Sequence, residues 1–344
     1  MNGDLQGESG FLRRVPLILS LIVICLSFVV GASGFYLFFQ PANRPAKETI
    51  TRNVAPAQSP RSDLWHAPDS TLIPLTPEGD LIRYGHDLIA HTADYLGPNG
   101  KVKATSNGMN CQNCHLKAGT KPFGNNYAAV ASMYPRFRAR SGGIETMEKR
   151  VNDCIERSLN GTALEEDSKE MRAMIAYFRW LGKDVQSGVT PKGAGLIELP
   201  LLERAADPAK GKLVYEKYCR LCHGAEGSGY RIAGSAGWKY PPLAGENSYN
   251  TGAGLLRLSR FAAYVKANMP NGTRYDSPVL TDEEAWDVAA YINSLPRPVK
   301  NFPGDWPDVA AKPFDHPFGP YADNFSEREH RYGPFAGMIK RKMK

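Results

Sequence analysis

At 344 residues with a hydrophobic fraction of 42%, the chain is long enough for two compact domains with tails and linkers. Its formal charge of +7 is mild and gives no support to nucleic-acid binding, although basic patches can still draw in small anions or an acidic redox partner. Six cysteines are present, and the two that stand alone, Cys25 and Cys154, lie in segments too unlike one another to read as a disulfide scaffold.

Residues 1–14 read as a short cytoplasmic amino terminus. The run from Val15 to Phe39 is apolar and uncharged. As a helix it would reach roughly 37 Å, enough to cross a hydrocarbon core of about 30 Å with some tilt. Arg13 and Arg14 precede it and favour a cytoplasmic start. A cleaved signal peptide ending near Ala32-Ser33-Gly34 is the alternative, but the apolar run continues through Phe35-Tyr36-Leu37-Phe38-Phe39. The expectation is a single-pass anchor in a bacterial inner membrane with the rest of the chain in the periplasm. Residues 40–62, rich in proline, alanine and polar residues, form a tether.

A first domain is expected over 63–183, a linker with several glycines over 184–200, and a second domain over 201–296. Each domain opens on a helix carrying a glycine and an aromatic: Tyr84-Gly85-His86 in the first, Lys210-Gly211-Lys212 through Tyr215 in the second. Each closes on an amphipathic helix. Ser168 caps the first, with Met171, Met174, Ile175 and Phe178 spaced for burial. Thr281 with Glu284 forms a capping-box pattern on the second, with Ala285, Val288, Ala289 and Ile292 on its apolar face. Residues 297–344 carry seven prolines, which favour an extended strap ending in a solvated basic tail, Lys340 to Lys344.

Between these helices each domain holds the same pentad: Cys111-Gln112-Asn113-Cys114-His115 and Cys219-Arg220-Leu221-Cys222-His223. Two thiols at this spacing add across the vinyl groups of a haem, and the adjacent histidine ligates the iron. Two such pentads in matching surroundings imply two covalently attached haem c groups. First and last helices crossing beside a pentad resemble the class I cytochrome c fold. The fold class is therefore all-α, with two such domains in tandem, an N-terminal transmembrane helix and an irregular C-terminal strap.

The second iron has an evident sixth ligand. Met269 lies 46 residues after His223 and precedes Pro270, which fixes the loop; a thioether raises the haem potential. The first domain has no comparable loop. Met171 and Met174 read as helix core, Met109 is too close to the pentad, and Met133 and Met147 are weak candidates. Cys154, 39 residues after His115, falls where a distal ligand should. The residues alone leave it open between a thiolate ligand and a small buried hydrophobe. Its neighbours Arg150, Asn152, Asp153, Glu156 and Arg157 weigh against burial in an apolar core, and nearby cations would lower a thiol pKa.

Three segments resemble the dihaem thiosulfate dehydrogenases, also called tetrathionate synthases: Asn110 to Leu116, Tyr134 to Gly142, and Arg150 to Gly161. The likeness spans roughly Asp80 to Leu295. It implies that Cys154 ligates the active-site haem opposite His115, and that Arg140, Arg150 and Ser158 line an anion pocket, with Arg136 and Arg138 as helpers. It implies oxidative coupling of two thiosulfates to tetrathionate, reversible in some members. In the implied cycle Cys154 leaves the iron, bonds one thiosulfate and is released by a second. Electrons would pass from the His115/Cys154 haem to the His223/Met269 haem and on to a redox partner such as a soluble cytochrome or terminal oxidase. Some members carry a lysine beside the second-haem methionine and switch ligands. Here Asn268 is the neighbour and Lys266 stands three residues back, which speaks against switching.

The main rival is a membrane-tethered dihaem electron carrier with no substrate of its own. It accounts for both pentads and Met269 but leaves Cys154 and its arginines without a role. A sulfur-oxidising sulfotransferase with a cysteine-ligated haem and a dihaem peroxidase are weaker alternatives.

Overall fold

The computed structural model describes residues 63–342, all within one compact unit, Pro60–Lys344. The amino-terminal segment 1–14, the expected anchor Val15 to Phe39 and the whole tether 40–62 lie outside the described residues. Among the described residues no helix is long and apolar enough to cross a membrane.

The first half is framed by α1 (Pro77–Ala90), α2 (Met147–Arg157) and α3 (Lys169–Leu181). Local chemistry sets where each begins. Thr76, Thr146 and Ser168 each accept a hydrogen bond from a first-turn amide, and Pro77 occupies a position whose N–H would have no helical partner. Met171, Met174, Ile175 and Phe178 are all buried, as their spacing requires.

The second half repeats the plan with α4 (Pro208–Tyr218), α5 (Leu258–Asn268) and α6 (Asp282–Ser294). Asp207 caps α4, and the Thr281–Glu284 capping box opens α6 with both of its hydrogen bonds formed. Ala285, Val288, Ala289 and Ile292 are buried.

The two halves share one packing device. A Cβ on Gly85 would lie 2.0 Å from the Ala173 carbonyl oxygen, and a Cβ on Gly211 would lie 1.9 Å from that of Asp287. Only glycine lets the first helix of each half touch the backbone of the last. The crossing holds the helix end before each pentad in a fixed place.

The fold is not wholly α. Two antiparallel ribbons are present: β1 (Arg136–Arg138) with β2 (Gly143–Glu145), and β3 (Tyr230–Arg231) with β4 (Trp238–Tyr240). The first is a hairpin whose turn places Gly142 at φ +67°, a region that favours glycine. The strap is also more ordered than its prolines suggest. Two helices, α7 (Glu327–Tyr332) and α8 (Ala336–Lys342), follow its irregular part. Ser326 and Glu329 form a capping box on α7, and Phe335 and Met338 join the apolar core of the second half. The side chains of the basic tail from Lys340 lie outside the described residues. The core of the first half in turn takes in Trp238, Tyr249 and Leu256, so the two halves are packed against each other.

Candidate functional site

Each pentad is held by neighbours that orient its histidine. Cys111–Asn113 forms one tight helical turn at the end of the α1 region. The Cys111 amide donates to Thr92 Oγ1 at 2.9 Å, and the Gln112 side chain donates to the Ala90 carbonyl at 2.6 Å. His115 Nδ1 meets the Asn125 carbonyl at 2.5 Å, and its ring stacks on Tyr127 with centroids 4.5 Å apart. Burial pushes the imidazole pKa down to about 4. A neutral ring with Nδ1–H donating leaves Nε2 as the metal-ligating nitrogen. His223 repeats the arrangement with Nδ1 against the Pro241 carbonyl at 2.9 Å, and burial lowers its pKa too. None of Cys111, Cys114, Cys219 and Cys222 is joined in a disulfide. Two unbridged thiols and one locked imidazole, each set facing a largely apolar cavity, fit a covalently attached haem.

The cavity at the first pentad holds about 990 Å³ of unfilled space, part of it open to solvent. His115 lines it, and so do Arg150, Cys154 and Ser158. These last three sit four residues apart on α2 and its carboxyl-terminal cap, so they form one row along the helix. The Ser158 amide donates to the Cys154 carbonyl at 2.8 Å, continuing the helical pattern. The Cys154 sulfur is the main reason the Arg150 guanidinium is held more firmly charged than usual. Sulfur, cation and hydroxyl are thus gathered on one wall of the cavity that the pentad histidine also lines. Met109, Met147 and Met174 also reach this cavity.

Arg140 is not on that wall. Its guanidinium lies over the Trp306 ring at 5.7 Å and donates to the Gly252 carbonyl at 3.4 Å. Burial, then the charges of Arg157 and Arg150, lower its pKa to about 10. Arg140 therefore belongs to the same cation cluster from one layer further out. Arg136 and Arg138 sit on the ribbon instead; Arg136 is exposed and Arg138 lies 3.8 Å from Glu145.

Three of the polar neighbours of Cys154 are drawn into the protein. Asn152, Asp153 and Arg157 are all buried. They can be buried because they are paired: Asp153 with Lys149 at 2.5 Å, Arg157 with Asp305 at 2.7 Å, and the Asn152 amide with the backbone of Leu164. Cys154 itself is only partly buried.

A second cavity is lined by Cys219, Cys222, His223 and Met269. α5 ends at Asn268, and Met269 follows in an extended conformation ahead of Pro270. Lys266 is ion-paired with Asp282 at 2.7 Å and donates to the Leu280 carbonyl. The Asn268 amide donates to the carbonyls of Phe123 and Tyr264, each at 3.0 Å. Met109, Asn110 and Cys114 line both cavities, which therefore share a wall. Sequence reasoning missed Asn125 and Pro241, whose contribution is a backbone carbonyl, and Tyr264, whose hydroxyl donates to the Asn113 carbonyl inside the first pentad at 3.0 Å. It also missed Asp305 and Trp306, which carry no local motif.

Comparison with known proteins agrees with this geometry. Residues 101–186 match the SoxA/TsdA cytochrome c domain family, and residues 206–292 match the family of subunit III of cbb3-type cytochrome c oxidase. A thiosulfate dehydrogenase of Psychrobacter arcticus is 39% identical over 70% of this chain and 71% of its own length. One from Allochromatium vinosum is 37% identical over 72% of this chain and 89% of its own. The solved thiosulfate dehydrogenase (TsdBA) of Marichromatium purpuratum superposes with a TM-score of 0.63 at 33% identity over 68% of this chain. The match spans half the length of that longer protein.

Proposed function

Because the chain belongs to the thiosulfate dehydrogenase family of dihaem c-type cytochromes, we propose that it couples two thiosulfates to tetrathionate in the cavity lined by His115 and Cys154. Cys111 and Cys114 would hold one haem and Cys219 and Cys222 the other, with His115 and Cys154 placed to bind the first iron and His223 and Met269 the second. When bound, the haems supply one-electron oxidising power, so the two electrons released by sulfur–sulfur coupling leave singly.

The protein's part is to bring together dianions that repel one another. A cation about 4 Å from a unit negative charge offsets about 4 kcal/mol at an effective dielectric near 20. Arg150 offers that charge in a planar fork suited to two oxyanion oxygens, and the Ser158 hydroxyl adds a donor. Arg140 adds a second cation behind it. Cys154, as thiolate, forms a disulfide-type bond to the terminal sulfur of one thiosulfate, with loss of two electrons. The terminal sulfur of a second thiosulfate then attacks, a new sulfur–sulfur bond forms as the bond to Cys154 breaks, and Cys154 departs as thiolate. The net reaction takes two thiosulfates to one tetrathionate and two electrons.

The shared wall of Met109, Asn110 and Cys114 supports an electron exit through the second haem site to an external acceptor such as a soluble cytochrome or terminal oxidase. The apolar run from Val15 to Phe39 supports a single-pass anchor that holds the haem domains on the periplasmic side of the inner membrane.

The observation that carries this reading is the row of Arg150, Cys154 and Ser158 in the cavity that His115 also lines. Its test is Cys154→Gly in the full holoprotein. Thiosulfate-dependent reduction of an acceptor should vanish while both haems stay attached. Full activity in the variant would overturn the role of Cys154, and a wild type that ignores thiosulfate would leave the protein an electron carrier.

A further inference from the structure

The strap beyond α6 reaches back to the cation cluster of the first half. Asp305 accepts two hydrogen bonds from Arg157, at 2.7 and 2.8 Å, the paired geometry that carboxylate and guanidinium favour. The Arg157 guanidinium also lies 3.8 Å over the Phe302 ring, and its Nε stands 3.7 Å from Asp153. Both terminal nitrogens and one face of Arg157 are thus occupied within a buried setting. Arg140 differs. Among the described residues no carboxylate lies within ion-pairing distance of it or of Arg150, and the one hydrogen bond of the Arg140 side chain is the 3.4 Å contact to Gly252.

What holds Arg140 is Trp306. The indole ring supports its guanidinium, and the Trp306 amide donates to the Arg140 carbonyl at 2.6 Å. On its other side the indole Nε1 donates to His316 Nε2 at 3.0 Å. The next residue, Pro307, sits where a side chain at Gly142 would clash, 2.5 Å from an added Cβ. Trp306 adopts φ +60°, a left-handed conformation that is unfavourable for a non-glycine residue. Such outliers persist where surroundings over-determine them, and they cluster at functional sites. Here the over-determining contacts are with Arg140 and with the strap itself.

We propose that the carboxyl-terminal strap is a working part of the anion site: Trp306 is a positioning residue for Arg140, while Asp305 neutralises Arg157, so that Arg140 and Arg150 remain as the two cations available to a divalent sulfur oxyanion. This rests on the reading of the cavity as a thiosulfate site. It extends that site to a segment outside both haem domains, and it gives the strap a role in substrate affinity.

The test compares Trp306→Leu and Trp306→Phe with wild type in the full holoprotein. Leucine keeps bulk but lacks a ring face; phenylalanine restores the face and lacks only the bond to His316. Thiosulfate affinity is measured by calorimetry and turnover by acceptor reduction, with thermal midpoints as the folding control. Trp306→Leu should weaken binding and raise KM about tenfold, the scale of a partly desolvated cation–aromatic contact, with kcat little changed and haem content intact. Trp306→Phe should recover most of the affinity. Wild-type affinity in Trp306→Leu, or a loss that phenylalanine does not recover, would overturn the strap's role and leave the proposed function standing. A wild type that binds no thiosulfate would instead bring down the reading of the cavity, and this inference with it.

Discussion

The Tyr264 hydroxyl, on α5 of the second half, donates at 3.0 Å to the carbonyl of Asn113, inside the first pentad. One side chain thus ties the second half to the backbone of the first pentad. Tyr264 is buried, and burial holds its phenol well above the usual pKa, so it remains a donor at any working pH. Tyr264→Phe leaves the Asn113 carbonyl without this partner and should cost about 1 kcal/mol. The denaturant midpoint of the holoprotein should fall accordingly with both haems retained. An unchanged midpoint would mean that the bond adds nothing to the joint between the halves.

Arg150 should matter for binding and turnover together. Hydrogen bonds to charged groups contribute about 1.5–3 kcal/mol, so Arg150→Gln should lower kcat/KM for thiosulfate by roughly 10- to 100-fold. Arg150→Lys keeps the charge but loses the planar fork, and it should recover only part of the loss. Steady-state kinetics at fixed ionic strength decides between charge and shape: full rescue by lysine would show that the fork is irrelevant.

The paired glycine crossings give a structural prediction. A methyl group at Gly85 or Gly211 meets a backbone carbonyl at about 2 Å, which a side-chain rotation cannot relieve. Gly85→Ala and Gly211→Ala should each destabilise the holoprotein by about 1–3 kcal/mol, as overpacking does. Thermal unfolding checks this, and the two variants should behave alike because the two halves use the same contact.

His316 makes the strap sensitive to acid. Its Nε2 accepts from Trp306 and its Nδ1 meets the Phe318 carbonyl at 3.1 Å, an arrangement that only the neutral ring satisfies. Burial, with the nearby Lys312 and Arg140 charges, pushes its pKa from 6.5 to about 4, against the opposing pull of the Phe318 carbonyl and, more weakly, of Asp315. Between these values the unfolded chain binds a proton that the folded chain refuses. Stability should therefore fall as the pH drops from 6.5 to about 4. His316→Gln should flatten that part of the stability profile, measured by thermal midpoint against pH.

Much of this was legible in the residues. The pentads, the capping patterns at Ser168 and Thr281, and Met269 ahead of Pro270 are local, and local patterns survive without knowledge of the fold. Arg150, Cys154 and Ser158 were readable as one row once α2 was recognised, because their spacing is four residues. Arg140 was only partly legible: its place depends on a ribbon turn and on Trp306, more than 160 residues later in the chain. The burial of Asp153 and Arg157 was not legible for a similar reason. Asp305 pairs with Arg157 from the strap, and no nearby residue announces it. The helices within the strap were masked by the prolines around them, although Ser326 and Glu329 carried the capping signal.

The central claim is that Cys154 faces His115 across one iron and is the sulfur at which coupling takes place. Electron paramagnetic resonance of the oxidised holoprotein, wild type beside Cys154→Gly, tests it most directly. Two low-spin haem signals are expected in the wild type, one of them of the thiolate-ligated kind, and the variant should lose that signal alone. Identical spectra from the two proteins would contradict the account.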